Sequence, residues 1–227
     1  MIRVDRHPAP KNFERDVQEP GLRWLENPNN RTKPRPRDYW KHCRDDLERQ
    51  FESRCGYAAT WISSGYTDHF VSWSRCKSCN EHHRAYEWEN LRWMAPELNS
   101  LKSDHEILDP FEVQDSWFDI HLPSLRLRMT DAIPVEHRGT AERTLQVLKL
   151  ESGPLVRKWR QAELRLFANG TSLSEIMHRT PLLGRALEQL FAASPEDLEP
   201  EQLRFRTDLE ARRRHAATQH QAPPRRP

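Results

Sequence analysis

Apolar and polar positions change their rhythm twice along the chain. Residues 1–37 show little periodicity and hold Pro8, Pro10, Pro20, Pro28, Pro34 and Pro36. Proline removes a backbone donor and blocks the preceding turn, so this stretch reads as an extended N-terminal arm that packs onto the body through Trp24 and Leu25. Asp38 then caps a helix over "YWKHCRDDLERQFESR", in which Tyr39, Cys43, Leu47 and Phe51 recur every four residues and make one apolar stripe. "YAATWIS" predicts a strand, Ser64-Gly65 a turn, "YTDHFVSW" a second strand and "RCKSCNEHHR" a polar loop. A short helix begins near Ala95-Pro96 and carries Asn99 and Lys102.

Beyond Asp109-Pro110 the second change comes. "FEVQDSWFDIHLPSLRLRMT" alternates and predicts a hairpin, and helices follow over "GTAERTLQVLKL", with Thr140 as its cap, and "LVRKWRQAELRLFANG", stopped by Asn169-Gly170. "SLSEIMHRT" and "PLLGRALEQLFAAS" predict two short helices, and Ser194-Pro195-Glu196-Asp197 starts a last one with a basic end. The organisation is α+β: an arm over 1–37, a core unit over 38–109, a mixed strand and helical region over 110–210, and a basic disordered tail over 211–227. No internal repeat is present.

The chain has 227 residues, 36% hydrophobic and 31% charged, which suits one soluble domain of modest core. No apolar run approaches a membrane span and the first residues lack a signal-type apolar segment, so a cytoplasmic protein without direct membrane insertion is expected. Cysteines at 43, 55, 76 and 79 are too few for a disulfide scaffold. Net charge is only +2, but "NNRTKPRPRDYWKHCR" and the C-terminal Arg212, Arg213, Arg214, Arg225 and Arg226 are basic clusters of a kind that suits phosphate backbones. Six tryptophans, Trp40, Trp61, Trp88, Trp93, Trp117 and Trp159, lie mostly on apolar stripes and are expected in the core. Trp73 sits among polar residues and is a candidate for stacking on a sugar or base.

Five polar positions fall in the order Asp68-His69, Asn90, Asn99, Lys102, with twenty, eight and two residues between them, and Asn90 lies in "YEWENL". This resembles the signature of the HNH endonucleases, a ββα-metal finger, over about fifty residues. The resemblance implies a metal-dependent DNA endonuclease: His69 as general base, Asp68 and Asn99 as ligands of Mg²⁺ or Mn²⁺, Asn90 fixing the loop that orients His69, and Lys102 neutralising phosphate charge. The chemistry is coherent. A near-neutral His can deprotonate water, and Mg²⁺ needs only one or two protein oxygens. Strand alternation sends Asp68 and His69 to opposite faces, so a turn or bulge is expected to rotate one of them. One such site cuts one strand, so nicking is expected.

Many similar fingers carry two C-x-x-C knuckles that hold a structural zinc. Here the corresponding positions are Cys55 and Ala58, then Ala95 and Leu98, so no structural zinc is expected there and small apolar packing takes its place. Cys76-x-x-Cys79 with His82 or His83 offers zinc-type ligands elsewhere, but it lies before "YEWENL" and Asn80 is not the metal Asn. The region after Asp109 resembles HNH effectors of bacterial anti-phage systems, the type II Zorya nucleases first and the PtuB-like nucleases second. That implies partner subunits of the same system, a membrane motor among them for Zorya. Two other classes stay open: a non-catalytic DNA-binding or assembly subunit that keeps the finger as scaffold, and an RNase toxin.

Overall fold

The computed structural model describes residues 1–221. Its order is helix-rich from the start, and the arm is the first departure from expectation. Residues 1–10 are extended and dock along the body, Val4 donating to Pro110 O and Trp88 Nε1 to His7 O. A helix then runs from Phe13 through a π-turn (Glu14–Gln18) into α1 (Glu19–Glu26). Pro20 does not break it. The wider i→i+5 turn, with Glu19 N–H donating to Glu14 O, precedes the proline and absorbs its missing donor. Phe13, Val17, Gly21 and Leu25 form the buried face. A Cβ on Gly21 would lie 2.2 Å from the Tyr86 ring, so only glycine lets α1 approach that closely. A single turn, α2 (Pro28–Arg31), capped by Asn27, ends the arm.

The stripe from Tyr39 to Phe51 is helical but split: a 3₁₀ segment over Tyr39–Cys43 changes at Cys43 into α3 (Arg44–Gln50). Cys43, Leu47 and Phe51 are buried as the spacing predicts. The "YAATWIS" strand shrinks to a two-residue ladder, β1 (Arg54–Cys55) against β2 (Thr60–Trp61), because Ala59 turns back at φ 50°. Trp61 is partly exposed under the Arg179 guanidinium, against the expectation of a core position.

The central unit is an antiparallel pair, β3 (Tyr66–His69) and β4 (Leu91–Met94), followed directly by α5 (Pro96–Lys102). Pro96 opens α5 as anticipated. The loop between the strands is not merely polar. Ser72 accepts from Arg75 N and caps α4 (Trp73–Ser78), and 3₁₀ turns follow at His82–Tyr86 and Trp88–Asn90. Arg92 on β4 forms a buried fork with Asp109, Nε to Oδ1 at 2.8 Å and Nη2 to Oδ2 at 2.6 Å. This pair fastens the central unit to the C-terminal half.

That half begins with the expected hairpin, β5 (Phe118–His121) and β6 (Arg126–Met129). α6 (Val135–Val147) starts five residues before Thr140, which is therefore interior. α7 (Pro154–Ala168) stops at Asn169-Gly170, where Gly170 takes φ 107°. α8 (Leu173–Arg179), capped by Ser172, packs on α9 (Pro181–Ala192), which covers β5. After a 3₁₀ turn at Pro195–Asp197, α10 (Pro200–Gln221) crosses α7. Residues 211–221 are thus helical rather than a disordered tail, and Arg225 and Arg226 lie outside the described residues. The architecture is mostly helical with small two-stranded antiparallel sheets, α+β in the broad sense, around one continuous hydrophobic cluster. Among the described residues no helix is long and apolar enough to cross a membrane.

Candidate functional site

Strand β3 ends on Asp68 and His69, the pair singled out in the sequence. Its ladder with β4 is unbroken, pairing Tyr66 with Met94, Thr67 with Trp93, Asp68 with Arg92 and His69 with Leu91. The expected bulge is absent among these pairs. Alternation holds, and Asp68 and His69 meet different partners.

His69 is half-buried. Its Nε2 lies 3.0 Å from Ala85 O, and the Trp40 ring meets it edge-on with centroids 4.5 Å apart. A carbonyl only accepts, so Nε2 carries the proton and Nδ1 of the neutral ring keeps its lone pair. Burial lowers the His69 pKa below its ordinary value. The Lys102 charge acts in the same direction, while the Ala85 bond and Asp68 oppose it. Burial therefore favours the neutral ring.

Asn90 explains how Ala85 is held in place. It is buried, its Oδ1 accepts from Val71 N at 2.7 Å, and its Nδ2 donates to Val71 O at 3.2 Å and Arg84 O at 2.9 Å. Its backbone oxygen also accepts from Phe70 N. One side chain therefore ties the first residues after β3 to the residue just before Ala85. Only an amide presents an acceptor and two donors in this geometry.

Asp68 is 3% exposed and lies on the inner side. Its Oδ1 accepts from Lys102 Nζ at 2.9 Å and its Oδ2 from the Tyr57 hydroxyl at 3.1 Å. Lys102 is buried as well, and its ammonium also donates to His69 O at 2.6 Å. Burial first, and the neighbouring Asp68 charge next, push the Tyr57 phenol well above its usual pKa, so it stays a donor. Asn99 sits three residues before Lys102 on α5 and so shares its face; it is half-buried, and among the described residues its amide has no hydrogen-bond partner.

The sequence-predicted residues Asp68, His69, Asn90 and Lys102 are thus linked, with Asn99 one turn away. Two geometries differ from expectation. Lys102 is spent on Asp68 and on a backbone carbonyl, so as it stands it does not face a phosphate. Asp68 has both oxygens bonded and is not an open ligand. Among the described residues no group of three or more His, Cys, Asp and Glu side chains is arranged to hold a metal. Tyr57, Trp40 and the Ala85 carbonyl were missed, since no spacing in the sequence marks them.

The knuckle positions do converge. Cys55 is buried, its thiol accepts from Ala95 N at 3.5 Å, and Ala58, Ala95 and Leu98 are all buried in the same cluster. Burial raises the Cys55 pKa, keeping it a thiol. In the other cysteine pair, Cys76 is buried and points to Val71 O, while Cys79 is exposed. His82 lies edge-on against Trp73, and His83 pairs with Glu87.

The nucleic-acid candidates are also rearranged. Trp73 is not free to stack on a base. It is buried, and its indole N–H donates to Lys33 O at 2.8 Å between Trp24 and His82. Arg213 donates to Phe167 O and to Thr171 O and stacks over the Phe167 ring at 4.1 Å, closing the end of α7. Arg212 and Arg214 remain exposed on α10. A scan against known protein families matches none, and a search of curated proteins finds no significant relative.

Proposed function

We propose that the chain is an HNH-type endonuclease that hydrolyses phosphodiester bonds in DNA, nicking one strand per site, as an effector of bacterial anti-phage defence. One observation carries the reading. His69 closes the first strand of a strand–strand–helix unit, and its Nε2–H is fixed on Ala85 O by the loop that Asn90 latches. That arrangement leaves Nδ1 as the proton acceptor for a water attacking phosphorus, the role a general base needs at neutral pH.

Dependence on Mg²⁺ or Mn²⁺ comes from the resemblance, and the residues meet it halfway. Asn99 offers an unbonded amide oxygen, but Asp68 is closed by Lys102 and Tyr57. The pair does not form an open two-oxygen site. On this reading His69 holds and accepts a proton, Asn90 positions it, and the Asp68–Lys102 pair braces the strand end beneath it. Partner subunits of a defence system belong to the same proposal.

The test is plasmid relaxation by the purified chain and by His69→Ala, with Mg²⁺, Mn²⁺ or EDTA. Nicking by the parent, lost by ~10²–10⁴ in the variant at equal thermal stability, supports the reading. Equal activity in both overturns it. A second reading, a DNA-binding or assembly subunit using the unit as scaffold, is favoured by the closed Asp68. It predicts DNA binding with no metal-stimulated nicking.

A further inference from the structure

Between Asn27 and Arg44 the chain has six Lys and Arg residues and one acid, Asp38. Among the described residues, none of the six pairs with a carboxylate. The segment is fastened by its aromatic and backbone atoms instead. Lys33 O accepts from the Trp73 indole, and Tyr86 Oη accepts from Arg37 N and donates to Arg37 O, both at 3.1 Å. Trp40 ends against His69. Pinning by carbonyls and rings leaves the side chains of Lys33, Arg35, Arg37 and Lys41 exposed, while Pro34 and Pro36 fix φ between them. Lys77 reaches in from α4, its Nζ 3.4 Å from Lys33 O. Burial, then Arg31, His83 and Lys77, lower the His82 pKa, so Arg31 of the strip and Lys77 of α4 act on the same ring.

We infer that this strip is the track for the phosphate backbone of duplex DNA, leading the strand to His69. The inference rests on the nuclease reading for its purpose, but its binding test does not. Charge without counter-charge is the electrostatic footprint of phosphate binding. Duplex is favoured over single strand because the rings on and against the strip are engaged. Tyr39 packs on Tyr86 beside the Arg37 guanidinium, Trp40 packs on His69 and Tyr86, and Trp24 packs on Trp73 and Tyr86, so these rings are not free to stack on unpaired bases. Contacts of this kind position a duplex without reading its sequence.

The experiment uses the full chain in a His69→Ala background, so that substrate survives, with a labelled duplex and fluorescence anisotropy between 50 and 200 mM salt. Lys33→Gln, Arg35→Gln, Lys41→Gln and Lys77→Gln are combined. Each lost phosphate contact should make the plot of log affinity against log salt shallower by about 0.9, so by about 3.6 for four, with affinity at 0.1 M lower on the order of 10³-fold. A control combining Lys149→Gln, Arg157→Gln and Lys158→Gln in the C-terminal half should leave the slope near its parent value. Circular dichroism melting shows that both variants fold. An unchanged slope in the strip variant, an equal loss in the control, or tighter binding of single-stranded DNA or RNA than of duplex each overturns the track. The two readings fail separately. Parent protein that binds through the strip but never nicks loses the nuclease and keeps the track. A strip variant in the native His69 chain that nicks as fast as the parent at 200 mM salt loses the track and keeps the nuclease.

Discussion

Lys102→Met is the most informative single change, because the ion pair it removes is buried on both sides. Asp68 and Lys102 are 3% and 2% exposed, and the ammonium also serves His69 O. Methionine keeps most of the stem volume but leaves Asp68 with only the Tyr57 hydroxyl. Breaking one side of a buried pair costs about 3–5 kcal/mol, because a desolvated charge is left without its partner. In a chain of this size that corresponds to a melting temperature lower by roughly 6–20 °C. Removing both charges, Asp68→Asn with Lys102→Met, should recover most of the loss, since the amide oxygen can still accept from Tyr57. Urea denaturation of the parent, both single variants and the double variant gives the coupling energy, expected to exceed ~2 kcal/mol. If Lys102→Met fails to fold, the double variant should restore folding. A loss under about 1 kcal/mol for Lys102→Met, or purely additive effects, would refute the idea that the two charges compensate each other inside the protein.

Asn90→Ala removes the latch and strands three backbone groups, at about 1 kcal/mol or more each. Urea denaturation should show that loss, and plasmid nicking should fall because Ala85 O no longer fixes the His69 ring. For His69 itself the pH dependence has a definite sign. Its folded pKa is below its unfolded value near 6.5, so the native state binds fewer protons there, and the resulting stability, complete above 6.5, is lost as pH falls from 6.5 through the depressed folded value. The acid limb of the nicking rate, followed on a plasmid across buffers, should therefore lie below pH 6.5, and a limb above it contradicts a desolvated base. Leu98→Asp puts a carboxylate at a fully buried position of the hydrophobic core and should lower the urea midpoint markedly, whereas Asn99→Ala should leave it nearly unchanged.

The residues of the linked cluster were the most legible part of the sequence, because His69, Asn90 and the Pro96-led helix each have a local signal. The β5–β6 hairpin and the Gly170 stop were legible for the same reason. Strand β4 was not. All four of its residues are buried, so "LRWM" lacks the alternation that marks a half-buried strand. α4 hid inside a polar stretch because its only inward residues are Trp73 and Cys76, held by a Ser72 cap. The helix through Pro20 was masked by a π-turn, which proline counting cannot foresee. The closing of Asp68 by Lys102 and Tyr57 joins residues 34 and 11 apart in the chain, and no spacing rule carries that information.

The Asn90 side chain bonds to the two ends of the long loop, Val71 on one side and Arg84 on the other. Everything from Ser72 to His83 is therefore a cassette closed at its base by one side chain. Its length can change without moving Val71 or Arg84, the two points the Asn90 amide holds. Because Trp73 and Lys77 belong to that cassette and both donate to Lys33 O, exchanging it would change how the basic segment is pinned while the Asn90 anchor is inherited intact. On the nuclease proposal, a chain built this way can diversify what it holds faster than what it does to it.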